Sequence, residues 1–374
     1  MTPTETGIRE GLNIAIVGVG LIGGSLGMAW RAAPRAHRVI GIVRRPEAGD
    51  EAVALGACDE ATCDLAEGVA GADVVVVCTP VTAIVPTVLE LLPHVRPGCI
   101  VTDAGSTKQH ICETLWAEGR DDVPFIGGHP MAGSERMGVG AADPYLFQNA
   151  VYVLTPNEDT PAESLGLLRS LVEETGANTI VMDAARHDRI VAAISHVPHL
   201  VASVLVQTAA EVNRAIPETL TLAAGGFRDT TRIAAGSPEI WRDICVTNRD
   251  AILEVLDILE ETSRHLRTLL ERADATGIGK YLAEAREQRL KVPGRSKGIL
   301  STVHEIIVRI VDRPGELAAV TGLLADAGLN IIDIEILRVR EGVGGTLRIG
   351  FESEQASDQA VRVLLSGGYS VLRH

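Results

Sequence analysis

Apolar residues in the first half of the chain come in short continuous runs. LNIAIV (12–17), VIGIV (39–43), ADVVVVC (72–78) and GCIVTD (98–103) show no polar alternation. Such runs predict strands buried on both faces. Between them, LIGGSLGMAWRAA and PVTAIVPTVLELLPHV read as helices. Strands alternating with helices predict a parallel sheet covered by helices on both sides. VPFIGG, AVYVLTP and ANTIVMD extend the pattern to about residue 182. From Ala184 to about Lys291 the period turns helical and strand signals almost vanish. AARHDRIVAAISHVPHLVASVLVQTAAEVN and RDAILEVLDILEETSRHLRTLLERA are the clearest helices, with AAGGFRDTTRIAAGSPEIW read as a loop between them. KVPGRSKG (291–298) reads as a linker. The remainder predicts strand, helix, strand, strand, helix, strand, a small α+β unit of split-βαβ type.

The expected architecture is therefore an α/β dinucleotide-binding domain of Rossmann type (1–182), an all-α domain (183–292), a linker (293–302) and a ferredoxin-like α+β domain (303–374). A chain of 374 residues suits such a division. Aromatic residues make up only 3%, so the core must be built from aliphatic side chains. The net charge of -15 argues against nucleic acid or an anionic membrane surface as partner, though local arginines can still hold an anionic substrate. Six scattered cysteines without a CxxC suggest reduced thiols, and MTPTETGIREG has no charged-then-apolar leader pattern. A cytoplasmic location is expected. The apolar run IVAAISHVPHLVASVLV contains two histidines and a proline and is read as a buried helix rather than a membrane span.

Gly18, Gly20 and Gly23 form a GxGxxG that follows a predicted strand and opens a predicted helix. In that context the first glycine permits the turn, the second lets backbone approach a diphosphate, and the third lets helix pack on strand. Leu21 and Ile22 lie in the same loop, where free N–H groups favour the diphosphate. Thr79 and Pro80, after the third strand run, are assigned to the cofactor as well. A carboxylate that binds the ribose of NAD is expected about 20 positions on. Val43 stands there instead, followed by Arg44 and Arg45. Two guanidiniums without a carboxylate favour NADP over NAD.

Asp103-Ala104-Gly105-Ser106 ends another strand run, on the rim where parallel sheets hold ligands. Ser106 is placed there to bond a substrate or a catalytic histidine; the alternative is that Asp103 or Ser106 caps the next helix. GGHPMAGSER (127–136) also follows a strand run, which sets His129 on that rim. A nicotinamide enzyme that oxidises an alcohol needs a group to take the hydroxyl proton, and an imidazole suits that task.

GVGLIGGS, DAGSTK, GGHPMAGSE, SHVPH and GFRDTTRIA with IWRDI, in that order, resemble the prephenate dehydrogenases of tyrosine biosynthesis, a family that includes arogenate dehydrogenases. The resemblance spans about residues 12–290. VDRPGELAAVTGLLADAGLNI is similar to an ACT domain, a module that usually binds amino acids. The resemblance implies a Rossmann-type domain followed by a helical domain that forms a homodimer. It implies an oxidoreductase reaction: hydride leaves the ring carbon bearing the hydroxyl, CO2 leaves the opposite carbon, and the ring becomes aromatic. By the same resemblance His129 is the catalytic histidine and Ser106 supports it. Arg232 holds a substrate carboxylate, Arg228 adds positive field, and His187 and His199 line the cleft. Glu135 lies near the substrate, paired with Arg136 or with a basic group across the dimer, and Asp229 is expected to pair with a basic neighbour. Trp241 also matches a family position.

On an ideal helix His187 and His199 would lie about 120° apart, so Pro198 must bend the helix if both face one cleft. His196 falls opposite His187, as a packed or interface histidine. No metal is expected, because no further ligand completes the His196/His199 pair and the chemistry needs none. In the C-terminal unit, Asp312, Gly315 and Asn330 are the expected effector contacts, with tyrosine as the natural feedback ligand. Three alternatives stay open: an arogenate dehydrogenase, a hydroxy-acid dehydrogenase of the same fold, and a non-catalytic sensor of dinucleotide and amino acid.

Overall fold

The computed structural model describes residues 11–33, 37–133, 136–292, 304–311, 313–338 and 345–373. The chain divides into two compact units, Met1–Gly298 and Ile299–His374.

The first unit opens with β1 (Asn13–Val17), α1 (Leu21–Arg31), β2 (Arg38–Ile42), α2 (Pro46–Ala54), β3 (Glu60–Thr62) and α3 (Leu65–Val69). It continues through β4 (Val74–Val77), α4 (Val81–Leu91), β5 (Ile100–Asp103), α5 (Gln109–Glu118), β6 (Phe125–Pro130), β7 (Val151–Thr155), α6 (Ala162–Glu173) and β8 (Asn178–Val181). The strands form one sheet in the order β3-β2-β1-β4-β5-β6-β7-β8. This is the doubly wound order, whose ligand crevice opens at the carboxyl ends of β1 and β4. All four valines of β4 are buried, as expected for a central strand covered on both faces. One core layer holds Leu26, Trp30, Phe147, Tyr152 and Leu171; the other holds Ile84, Val88, Leu91, Ile111 and Leu115. Trp30 Nε1 donates to the Leu171 carbonyl at 2.8 Å, so α6 is tied to α1.

Two features depart from the sequence reading. β3 has no apolar run, and three residues pairing with β2 suffice to make it. β6 and β7 are antiparallel, because only a short 3-10 turn (Val139–Ala141) rather than a crossover helix connects them. That pairing extends β6 to Pro130. His129 therefore sits within a strand, opposite Val153, and not in a loop.

The helical part comprises α7 (Ala184–Val191), a π turn (Ala192–His196), α8 (Val197–Ala215), α9 (Gly225–Thr231), α10 (Pro238–Thr247), α11 (Arg249–Glu271) and α12 (Ala275–Lys291). The segment read as a loop contains α9 and the start of α10. Ser237 caps α10 by accepting from Ile240 N, and Pro238 and Glu239 fill its first turn. The buried apolar cluster here is small, Ala192, Val197 and Ile252, and Val191, Ala202 and Ile244 are buried as well. The run expected to be a buried helix is buried on one side only. Ile194 is 63% and Val204 62% exposed, and Leu222, Val246 and Ile258 are exposed nearby. By length and composition Ala184–Ala215 could cross a membrane. It nevertheless buries His187, Asp188, His196 and His199, and the first three bond to protein partners, which marks a face packed on protein.

The second unit is β9 (His304–Ile310), α13 (Glu316–Asp326), β10 (Asp333–Arg338), β11 (Gly345–Phe351), α14 (Glu354–Ser366) and β12 (Ser370–Arg373), with strand order β10-β11-β9-β12. All its strand pairs are antiparallel, and Ile306, Val308, Val320, Leu347, Phe351 and Leu364 form its core.

The α1 contact is tight enough to test. A Cβ on Gly27 would lie 1.9 Å from the Ala57 carbonyl oxygen, a backbone atom that cannot swing aside. Gly27→Ala is expected to lower unfolding free energy by about 1–3 kcal/mol, read from the urea midpoint at unchanged m-value.

Candidate active site

Gly18 turns the chain after β1 with φ of +93°, a conformation glycine adopts without strain. A Cβ there would sit 2.9 Å from the Cys78 carbonyl oxygen, and one on Gly23 would sit 2.3 Å from that of Gly18. At Gly20 nothing lies within 4 Å of an added Cβ, and no side chain caps α1. The first turn of α1, from Leu21 and Ile22, thus presents backbone N–H groups to open space. Across the crevice, Thr79 Oγ1 is buried without a hydrogen-bond partner, beside exposed Pro80. An uncapped helix start beside an unpartnered hydroxyl fits a dinucleotide diphosphate. Arg44 and Arg45 are exposed at the end of β2, and neither makes an ion pair among the described residues.

The next strand end carries a buried ion pair. Asp103, at the end of β5, pairs with Lys108 Nζ, and both side chains are fully buried. Its other bonds come from Gly105 N (2.8 Å) and Gly128 N (3.1 Å). Asp103 therefore positions β6 and does not cap α5. The glycine pair before His129 has the same origin. A Cβ on Gly128 would lie 2.4 Å from the Asp103 carbonyl oxygen, and one on Gly127 would lie 2.3 Å from Thr155 Oγ1. Only bare backbone fits between β5 and β7 here.

His129 is half-buried, and its Nδ1 lies 2.8 Å from His187 Nε2. His187 Nδ1 in turn lies 2.7 Å from Asp188 Oδ1, and both residues are 1% exposed. Asp188 also accepts from Lys108 N (2.7 Å) and Gln109 N (2.9 Å), so it caps α5 from the other domain. Burial, then the neighbouring His187, Lys108 and His196, hold the His129 pKa well below the ordinary histidine range. Burial also pushes His196 down to about 4, against the opposing pull of Asp188. Asn248 Nδ2 bonds both His196 Nδ1 (3.0 Å) and the Asp188 carbonyl (2.9 Å).

His199 stacks on Trp241, with ring centroids 3.5 Å apart and 12° between planes, and its Nδ1 is buried without a partner. Burial lowers its pKa too. The π turn explains how both cleft histidines come to be buried. Twelve residues separate His187 and His199, about 120° of phase on a regular helix, but a π turn absorbs one residue and leaves about 20°. Pro198 contributes, since a proline ring crowds the carbonyl four residues back, here that of Ile194 inside the π turn. The phase change comes from this wider turn, where the sequence suggested a bend. Gly236 completes the wall: a Cβ there would lie 2.8 Å from Trp241 Nε1 and 3.3 Å from His199. This contact seats the 3-10 turn that begins at Arg232 against α8.

Other expected residues are placed differently. Ser106 is half-buried, and among the described residues no hydrogen bond joins it to His129, whose Nδ1 is held by His187. Arg228, Asp229 and Arg232 are all exposed. Asp229 makes no ion pair among the described residues, contrary to expectation, because α9 projects it into solvent. Glu135 lies outside the described residues. Sequence reasoning missed Asp188 and Lys108 altogether; the only signal was two charged residues beside positions already singled out. No group of three or more His, Cys, Asp or Glu suited to a metal occurs among the described residues.

Comparison with known proteins accounts for this arrangement. A prephenate dehydrogenase nucleotide-binding domain matches residues 26–181, and a prephenate dehydrogenase dimerization domain matches residues 183–284. The chain belongs to the prephenate dehydrogenase family. An ACT domain matches residues 304–361. Prephenate dehydrogenase of Bacillus subtilis is 37% identical over 93% of this chain and 94% of its own length. That of Lactococcus lactis is 32% identical over 94% and 97%. Among solved structures, Synechocystis arogenate dehydrogenase aligns with a TM-score of 0.68 at 37% identity, over 75% of this chain and all of that one. Prephenate dehydrogenase of Aquifex aeolicus, in complex with hydroxyphenyl propionate and NAD+, aligns at 0.71 and 30% identity, over 75% and 98%. The chain is thus an NAD(P)-dependent oxidoreductase of this family. Its exposed apolar helices lie in the segment that matches the dimerization domain.

The buried Asp103–Lys108 pair yields a prediction. Lys108→Met leaves Asp103 charged and unpaired, and is expected to cost about 3–5 kcal/mol of stability. Adding Asp103→Asn to that variant should recover part of the loss in the same denaturant titration.

Proposed function

We propose that this chain is a prephenate dehydrogenase that oxidises and decarboxylates prephenate to 4-hydroxyphenylpyruvate. The observation that carries the reading is His129, at the end of β6 on the ligand rim. Its Nδ1 is tied to His187, and no group among the described residues engages its Nε2. A histidine so held has one nitrogen for one task, accepting the substrate hydroxyl proton. The bound nicotinamide supplies the hydride acceptor. Gly18, Gly20, Leu21, Ile22, Gly23, Thr79 and Pro80 hold the dinucleotide. Arg232 takes a substrate carboxylate, helped by the field of Arg228, and His199 on Trp241 lines the cleft with its free Nδ1. Ser106 meets the substrate directly, which agrees better with its freedom from His129 than a supporting role does. Glu135 and Asp229 remain assigned to substrate binding.

The cofactor reading favours NADP, on exposed Arg44 and Arg45 without a carboxylate at Val43. The domains divide as 1–182, 183–292 and 303–374, the helical one pairs two chains, and the enzyme works in the cytoplasm. In the ACT unit, Gly315 (φ +89°) opens α13 and Asn330 is exposed before β10, which suits capture of an amino acid. Asp312, the third expected contact, lies outside the described residues. Tyrosine, the pathway's end product, is the proposed effector and inhibitor. Arogenate is the second substrate reading, favoured by the name of the Synechocystis relative.

A steady-state matrix tests this: prephenate or arogenate with NAD or NADP, with and without tyrosine, followed by reduced-cofactor absorbance. Turnover with prephenate is expected, and absence of turnover with every pair would overturn the assignment. Arg232→Ala is expected to raise KM by about 10–100-fold, the weight of a charged hydrogen bond. Val43→Asp with Arg44→Ala should shift kcat/KM from NADP towards NAD.

A further inference from the structure

We propose that His129 and His187 act as one base, in which the proton taken at His129 is passed on and held on His187 against Asp188. This rests on the dehydrogenase reading and adds a role for two residues beyond the histidine that meets substrate.

The hydrogen-bond chain decides both tautomers. An ionised carboxylate only accepts, so His187 must donate from Nδ1 to Asp188 Oδ1. Its Nε2 is then unprotonated and accepts from His129 Nδ1. That leaves the lone pair of His129 on Nε2, the nitrogen the reaction needs. When Nε2 takes the hydroxyl proton, the Nδ1 proton has a lone pair 2.8 Å away to move to. The positive charge thereby shifts onto the ring that touches a carboxylate.

The relay stops at His187. Asp188 Oδ1 already accepts from Lys108 N and Oδ2 from Gln109 N, at the positive end of α5, so both oxygens are engaged as acceptors. The other charged groups here do not compete. Lys108 is paired with Asp103, and His196 and His199 are both held towards the neutral form by burial. Asp188 is the carboxylate left to balance a charged His187.

The chemistry calls for a store rather than an outlet. As the hydroxyl O–H bond breaks, its pair forms the C=O bond while the C–H pair leaves as hydride to the nicotinamide. The bond to the carboxylate then breaks; its pair enters the ring, CO2 leaves, and the C=O pair returns to oxygen as a phenolate. The product is a phenol, so the proton lent to the histidines must come back. The overall reaction releases none. Asp188 is a positioning residue in this scheme, and His187 holds the proton.

The test pairs a titration with kinetics on the full chain. With 15N-labelled histidine, correlation spectra of the substrate-free protein over about pH 5–8 should show His187 gaining its second proton before His129. In Asp188→Asn that charging should move to lower pH, because the carboxylate that favoured the imidazolium is gone. The kcat/KM profile should move its acid limb the same way, with kcat down on the order of 10²-fold and KM little changed. A merely structural role for Asp188 would not move that limb. His187→Gln, which accepts from His129 but cannot take its proton, covers the case in which Asp188→Asn does not fold. It should retain KM and lose kcat. His129 charging first, or an acid limb that Asp188→Asn leaves in place, would overturn the proposal. If wild type turns over no substrate, the functional reading fails, while the titration still decides whether the pair behaves as described.

Discussion

The carboxylate of Asp188 is the constraint on which the site depends. It belongs to the helical domain, yet it closes the open start of α5 in the nucleotide-binding domain. One buried group thereby sets the seam between the domains and the direction in which His187 faces. Its backbone carbonyl is used too, through Asn248, which reaches from the start of α11 and touches His196. Thr82 to Asp243 and Thr107 to Thr247 add side-chain bonds across the same seam. A cleft between two domains is normally free to open. Here it is pinned, and breaking the bonds of Asp188 would leave buried polar groups unpaired.

Much of this was legible in the chain. Continuous valine and isoleucine runs announce strands covered on both faces, and the glycine loop follows one of them. His129 could be placed on the rim because strand ends in such sheets share one edge. What could not be read was direction and depth. Nothing in VPFIGG and AVYVLTP distinguishes a parallel from an antiparallel neighbour, since pairing direction depends on what fills the connection. Lys108 reads as a solvated charge, and only the approach of β6 to Asp103 shows why it is buried. Asp188 is one acidic residue in an apparently exposed helical turn; its partners are about 80 positions away. The helix α10, by contrast, is announced by Ser237-Pro238-Glu239, a cap followed by a proline and an acid in the first turn.

The two units use apolar residues differently. The C-terminal unit closes a core of its own from nine fully buried side chains among its described residues. The helical domain gathers only Ala192, Val197 and Ile252 into a buried cluster among the described residues and leaves large aliphatic groups on several helices in solvent. A surface of that kind belongs to an assembly, consistent with the dimerization domain matched there.

The π turn between α7 and α8 has a consequence of its own. It makes the site depend on how one turn of helix is wound, not only on which side chains that turn carries. Wound as an ordinary helix, the same residues would swing everything beyond them through about a quarter turn. His199 would leave the cleft with Trp241's ring face uncovered, while His187 stayed in place. The register of one helix thus decides whether the two halves of the cleft address the same molecule.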